Sequence, residues 1–120
     1  SKASISFFLN QAFSKKAPQE LKDHVYLTSH QPDASHAPFA FLSGNLFSDD
    51  AVKEVYAKLE LPSLIIYDQD PNIGFSKLES LMKINSMIQV ARINPSYGLP
   101  HWEHPEKMQS VLKNFWMDLQ

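Results

Sequence analysis

The sequence predicts a helix-rich α/β fold, in which four N-terminal helices precede a β-α-β-α unit with a small parallel sheet. Apolar residues recur at helical spacing through the first half of the chain. Two short runs, at residues 63–67 and 87–93, instead predict strands, and the first is continuously apolar, as in a strand buried on both faces. A helical stripe separates these runs, so we expect parallel strands joined by a right-handed crossover. We therefore divide the chain into a helical segment, 1–60, and a β-α-β-α segment, 61–120.

The composition excludes several classes of protein. A chain of 120 residues fits one domain, and its hydrophobic fraction of 43% is enough for a core. A net charge of −2 without a basic run gives no electrostatic support for a nucleic-acid partner. No apolar run approaches the roughly 20 residues that span a membrane. The absence of cysteine excludes thiol catalysis and fits a reducing compartment, so we expect a cytoplasmic protein. The missing initiator methionine suggests an excised fragment or a processed chain.

The first two helices are predicted from their stripes and their ends. One apolar stripe places a helix at roughly residues 3–14. Pro18 is suited to open the second helix, with Glu20 in its first turn near the positive end of the helix dipole. The Gln-Pro-Asp sequence at 31–33 is expected to end this helix.

The third and fourth helices depend on capping residues. Asp33 is a plausible N-cap for a short apolar helix that stops at Gly44 and Asn45. Ser48 is expected to cap the fourth helix. This helix is expected to end at the Glu-Leu-Pro sequence at 60–62.

The second half alternates strands and helices. A polar loop at 68–74 follows the first strand, and a helical stripe spans 75–82. A long loop with two prolines and a glycine spans 94–104. Pro105 is suited to the first position of the last helix, whose apolar stripe is the most regular in the chain.

The first strand lacks the features of an edge strand. Leu64, Ile65 and Ile66 form a continuous apolar run without an internal lysine or proline. Parallel strands are normally buried on both faces within larger sheets. We therefore expect something to pair beside this strand, either another copy of the chain or the rest of a larger protein.

Two segments of the second half resemble the C-terminal part of the α/β-hydrolase superfamily. The sequence LPSLIIYDQDP at 61–71 is similar to the penultimate strand of that fold and to the loop bearing its catalytic acid. The sequence INPSYGLPHWEHPE at 93–106, with Phe115 and Trp116 ending the following helix, resembles the last strand and its loop. The likeness covers 61–116, and it implies that 1–60 corresponds to the helical cap.

The resemblance implies hydrolysis of esters or similar small molecules in full-length relatives, through a nucleophile, an acid and a base. The nucleophile would sit in a Gly-x-Ser-x-Gly turn. None of Gly44, Gly74 and Gly98 brackets a serine in this way. The resemblance therefore puts the nucleophile turn upstream of residue 1, and we expect the chain to be catalytically inactive alone.

Asp70 is the candidate catalytic acid, with Asp68 as an alternative. Both follow the end of a strand, where sites of α/β folds cluster. In the resemblance, the acid would orient an imidazole and stabilise its charged form. The competing interpretation is that both aspartates form a turn before Pro71 and Asn72.

The base is where this chain departs from the family. Aligned on the prolines and glutamate of the last loop, the catalytic histidine position falls on Gly98, which cannot transfer a proton. His101, three residues later, is a weak base candidate that would require a shifted loop. The resemblance therefore indicates that the base has been lost.

We expect no metal and no cofactor, because the spacing of His101, Glu103, His104 and Glu106 matches no standard zinc pattern. An alternative to the hydrolase segment is a non-enzymatic pseudo-hydrolase that acts as a binding module. A third hypothesis is a small α/β domain that dimerises through its open sheet edge. The expected partners are a small-molecule substrate, if the missing upstream half completes the site, and otherwise another copy or the rest of the fold.

Overall fold

The computed structural model describes residues 1–44 and 47–119. Seven helices and two strands lie within these ranges. In chain order they are α1 (Lys2–Gln11), α2 (Gln19–Thr28), α3 (His36–Leu42), α4 (Ala51–Glu54), a 3-10 turn (Tyr56–Lys58), β1 (Ser63–Tyr67), α5 (Leu78–Ile84), β2 (Ile88–Arg92), α6 (Pro100–Glu103) and α7 (Pro105–Met117). None of the helices in the described ranges combines the length and the apolar character needed to cross a membrane.

The sheet consists of β1 and β2, which pair in parallel with Ile65 opposite Val90. The β-branched and aromatic residues of both strands favour extended backbone. The prediction of a mixed α/β chain with a small parallel sheet is therefore confirmed. The backbone N–H of Ser63 donates to the carbonyl of Met87, and that of Ile93 donates to the carbonyl of Tyr67. These bonds extend the ladder by one residue of β2 at each end.

The predicted limits of two N-terminal helices were wrong, and for the fourth helix the reason is a different capping residue. The first helix begins after Ser1, whose hydroxyl accepts from the N–H of Ser4, and it ends at Gln11, short of residue 14. The fourth helix is capped by Asp50, which accepts from the N–H of Lys53 at 3.1 Å. Ser48 instead donates its hydroxyl to Glu54.

The structure also differs from the sequence prediction at two loops. Asp33 does not cap the third helix, because its φ of 63° puts it in a left-handed turn before Ser35, the residue that precedes α3. Asn45, a predicted end of that helix, lies outside the described residues. The short helix α6 was not predicted, because two prolines and a glycine indicated an irregular loop. Pro105 opens α7 as expected.

The chain buries little of its apolar surface. Within residues 1–44 and 47–119, the buried apolar residues are Phe13, Ala17, Leu81, Ile88 and Ile93. The radius of gyration is 16.7 Å, against about 14 Å for a compact chain of this length. The accessible surface is 9195 Å², which exceeds the area of a compact monomer of this mass by roughly 2,600 Å². All five residues of β1 remain only half-buried.

Candidate functional site

The candidate site lies where β1 and β2 end, because the C-terminal ends of parallel strands meet at one edge of a sheet. Asp68 directly follows β1 and is buried. Its Oδ1 accepts from Nε of Arg92 at 2.6 Å, and its Oδ2 accepts from the N–H of Ser96 at 2.9 Å. The amide of Asn94 donates to both carboxylate oxygens, at 3.2 and 3.1 Å. This carboxylate therefore ties the end of β1 to the end of β2 and to the loop that follows it.

Opposing effects act on the ionisation of Asp68. Burial raises the pKa of this carboxyl, but the hydrogen bonds from Ser96, Arg92 and Asn94 and the charge of Arg92 together outweigh it. The net pKa lies below the ordinary value of 3.8. Asp68 is therefore held as an anion whose acceptor positions are already used within the chain, which leaves Asp70 as the more accessible acid.

Asp70 holds a turn with one carboxylate oxygen. Its Oδ1 accepts from the N–H groups of Asn72 at 2.7 Å and Ile73 at 3.0 Å. These are the local bonds expected of a turn-forming aspartate. They fix the orientation of the carboxylate and direct its other oxygen toward the loop that follows β2.

That second oxygen lies next to Gly98. A Cβ atom at position 98 would lie 3.1 Å from Oδ2 of Asp70 and 3.8 Å from Cβ of Ala12. The structure thus brings together the two positions that the resemblance assigns to the acid and the base. Because residue 98 is glycine, no side chain is present there to receive or transfer a proton.

His101 does not share this arrangement. It is an exposed residue of α6. Within the described part of the chain, no hydrogen bond joins its imidazole to Asp70. The structure therefore brings Asp70 to Gly98 but forms no hydrogen bond between Asp70 and His101, the base candidate.

Glu103 has a role that the sequence interpretation missed. One carboxylate oxygen accepts from the N–H of Ser14 at 2.7 Å and also from the Ser14 hydroxyl, while the other accepts from the N–H of Tyr97 at 2.8 Å. Burial raises the pKa of Glu103, but these bonds and the charge of His104 bring it below the ordinary value of 4.5. Glu103 thus fastens the chain after α1 to the loop carrying Gly98. The place of Glu103 in the segment that resembles the hydrolase family was the only feature of the sequence that pointed to a role for it.

An apolar groove of about 490 Å³ lies beside β1, between this strand, α5 and the 3-10 turn. Its lining includes Tyr56, Ile65, Phe75, Leu78 and Leu81. A smaller cavity of about 230 Å³ lies next to Glu103 and is lined in part by Trp102. Trp102 is 44% exposed, so it does not serve as a packing residue of a closed core.

Across residues 1–44 and 47–119, no three His, Asp or Glu side chains come close enough together to hold a metal ion. No protein-family model, curated protein or solved structure matches the chain.

Proposed function

We propose that the chain is the C-terminal segment of an α/β-hydrolase-like protein, with residues 1–60 as the cap and 61–120 as the end of the core. In this proposal, full-length relatives hydrolyse esters or similar small molecules. The segment supplies the acid and base loops of such a site. A cytoplasmic location belongs to the same proposal and rests on the cysteine-free composition.

The closeness of Asp70 to position 98 carries this proposal. The resemblance assigned the acid to one loop and the base to another from sequence alone. In the fold, Oδ2 of Asp70 faces position 98 at 3.1 Å from where its Cβ would be. An imidazole orienter must lie beside the imidazole, so the closeness of these two positions supports the assignment, although a Cβ at this distance would require the carboxylate to shift.

The same pair of positions explains why the segment is catalytically incomplete. In the family's mechanism the acid orients the imidazole and stabilises its charged form, while the imidazole itself carries the proton. Gly98 offers no titratable group, and the chain lacks the Gly-x-Ser-x-Gly turn. We therefore expect neither nucleophilic attack nor proton transfer to be supported by these residues.

An esterase assay tests the prediction of inactivity. With a p-nitrophenyl ester, the chain should release nitrophenolate no faster than buffer, and Asp70→Ala and His101→Ala should leave that rate unchanged. A rate above buffer that either substitution abolishes would show a functioning site. The family assignment has a separate test, the sequence of the native gene product. A Gly-x-Ser-x-Gly turn upstream supports a hydrolase, and its absence there supports a pseudo-hydrolase.

Gly98 favours a second candidate, a non-enzymatic module that kept hydrolase-like packing and acts by binding. The apolar groove beside β1 has a volume within the usual range of about 300–1,000 Å³ for small-molecule sites. An apolar fluorescent probe such as anilinonaphthalene sulfonate distinguishes specific from diffuse binding. Saturable binding of one probe, weakened by Leu78→Ala and unchanged by replacement of the exposed Leu42 of α3 with alanine, supports this candidate. Binding that both variants leave unchanged counts against it.

A further inference from the structure

The outer edge of β1 carries unpaired backbone groups. Ser63 donates its N–H to β2, and Tyr67 accepts there through its carbonyl. Backbone groups alternate in direction along a strand, so the N–H and C=O of Leu64 and Ile66 point away from β2. Among the described residues, β1 pairs with β2 alone. Four strong hydrogen-bonding groups are therefore available at this edge.

The sequence of β1 contains no residue that protects its outer edge against another strand. Natural edge strands are protected by charged residues, proline or bulges. Residues 63–67 contain none of these, and the strand is half-buried on both faces. Over the whole chain, the accessible surface exceeds that of a compact monomer by roughly 2,600 Å², against about 800 Å² that each partner buries in a standard interface. The chain thus has both an open ladder and enough uncovered area for a stable contact.

We propose that a second copy of this chain pairs with β1 in antiparallel orientation, with the two Ile65 residues opposite each other on a two-fold axis. This register places Leu64 opposite Ile66 of the other copy, and the reverse. In an antiparallel pair, such residues exchange two hydrogen bonds. All the outward N–H and C=O groups of Leu64 and Ile66 are then satisfied, by four bonds across the axis.

The chemistry of the strand favours a second copy as its occupant. A two-fold contact must be self-complementary, since the same surface patch is used on both sides. The pairing around Ile65 opposes apolar residues to apolar residues and brings no like charges together, because residues 63–67 carry no charge. Pro62 lacks an N–H, so it ends the outward ladder on the N-terminal side of the strand. The result is a four-stranded sheet in which the two copies of β1 lie at the centre and the two copies of β2 lie at the edges.

Sedimentation velocity and a single-cysteine cross-link together test this dimer. At micromolar concentration, sedimentation velocity should give a molecular mass twice the 13.7 kDa of one chain. Because the chain has no cysteine, Ile65→Cys can form only an intermolecular disulfide. Directly opposed, non-hydrogen-bonded residues have Cα atoms about 4.5 Å apart, within disulfide reach. Copper-phenanthroline oxidation of this variant should therefore give a covalent dimer.

Val90→Cys is the matched control, because Val90 is the register partner of Ile65 on β2. In the proposed dimer the two copies of residue 90 are three strand spacings apart, roughly 14 Å, which is beyond disulfide reach. We expect Ile65→Cys to cross-link at least about tenfold faster than Val90→Cys. A monomer, a polydisperse assembly, or equal cross-linking of the two variants would each overturn the proposal.

This inference does not depend on the proposed function. In an α/β-hydrolase-like body a strand from another part of the protein would occupy the same edge, so the dimer is expected of this chain by itself. The esterase assay and the upstream sequence test the proposed function, whereas sedimentation and cross-linking test only the edge. Failure of one proposal is thus distinguishable from failure of the other.

Discussion

Arg92 donates from Nε to Oδ1 of Asp68 at 2.6 Å and joins the last residue of β2 to the residue that follows β1. The two ends differ in environment, since the side chain of Arg92 is 55% exposed and that of Asp68 is 1% exposed. The carboxylate therefore depends on the donors around it, whereas the guanidinium remains hydrated.

Replacing Asp68 with alanine should destabilise the chain. The substitution leaves the buried N–H of Ser96 without its acceptor, and Asn94 and Arg92 lose theirs as well. We expect a loss of about 2 kcal/mol in the free energy of unfolding, measured by urea denaturation with circular dichroism. Asp49→Ala is the control, because Asp49 is exposed, and its effect should stay within about 0.5 kcal/mol. Equal effects of the two substitutions would contradict the role assigned to Asp68.

Stability should fall in acid because of two carboxyls. Folding lowers the pKa of both Asp68 and Glu103 below their ordinary values of 3.8 and 4.5. A lowered pKa contributes stability above the unfolded value, and that contribution is lost as pH falls through the folded value. The urea midpoint should therefore decrease steadily from about pH 5 to about pH 2. Glu103→Gln should reduce this decrease, and an unchanged pH profile would argue against the bonds from Ser14 and Tyr97.

Ser96→Ala should be neutral or mildly stabilising. Ser96 is fully buried, and within the described chain its Oγ has no hydrogen-bond partner. Removing an unsatisfied buried hydroxyl recovers up to about 1 kcal/mol, while the N–H to Asp68 stays in place. Thermal unfolding followed by circular dichroism shows whether the substitution raises or lowers the stability of the chain. A loss of more than about 1 kcal/mol would mean that the hydroxyl has a bonding partner in solution.

Gly98→Ala tests the contact with Asp70 directly. A Cβ at 3.1 Å from Oδ2 requires the carboxylate to move, although Oδ1 is held by two backbone N–H groups. In the wild-type background, we expect Gly98→Ala to lower the free energy of unfolding by about 1 kcal/mol. The loss should be smaller when Asp70 is already alanine, and a double-mutant cycle of urea denaturation measures the difference.

Gly74→Ala is the control for this cycle, since a Cβ there meets no atom within 4 Å. It should be neutral or slightly stabilising, because alanine restricts the unfolded chain. Additive effects of Gly98→Ala and Asp70→Ala would show that the two residues are not in contact.

The sequence predicted best where one local pattern has one interpretation. The apolar run that forms β1 is predicted at its observed limits, because its β-branched residues and flanking Pro62 and Asp68 agree. Helix starts were harder, since Ser48 and Asp50 are both good caps and the choice depends on contacts such as the bond to Glu54.

The site was predictable in its residues but not in its geometry. Asp70 and Gly98 were both named from sequence, yet their closeness depends on strand pairing, the turn after β1 and the loop after β2. The network around Asp68 and the tie from Glu103 to Ser14 join residues far apart in sequence. Such bonds leave no local periodicity, so composition and spacing could not reveal them.

The exposed phenylalanines of α3 bear on how chaperones and proteases would treat this chain in a cell. Phe39 is 70% exposed and Phe41 is 54% exposed, on a helix without a buried residue. Chaperones and degradative proteases recognise uncovered apolar segments of this kind, and they act continuously on incompletely folded chains. We therefore expect α3 to make the chain a target of this triage, which would lower its steady-state amount.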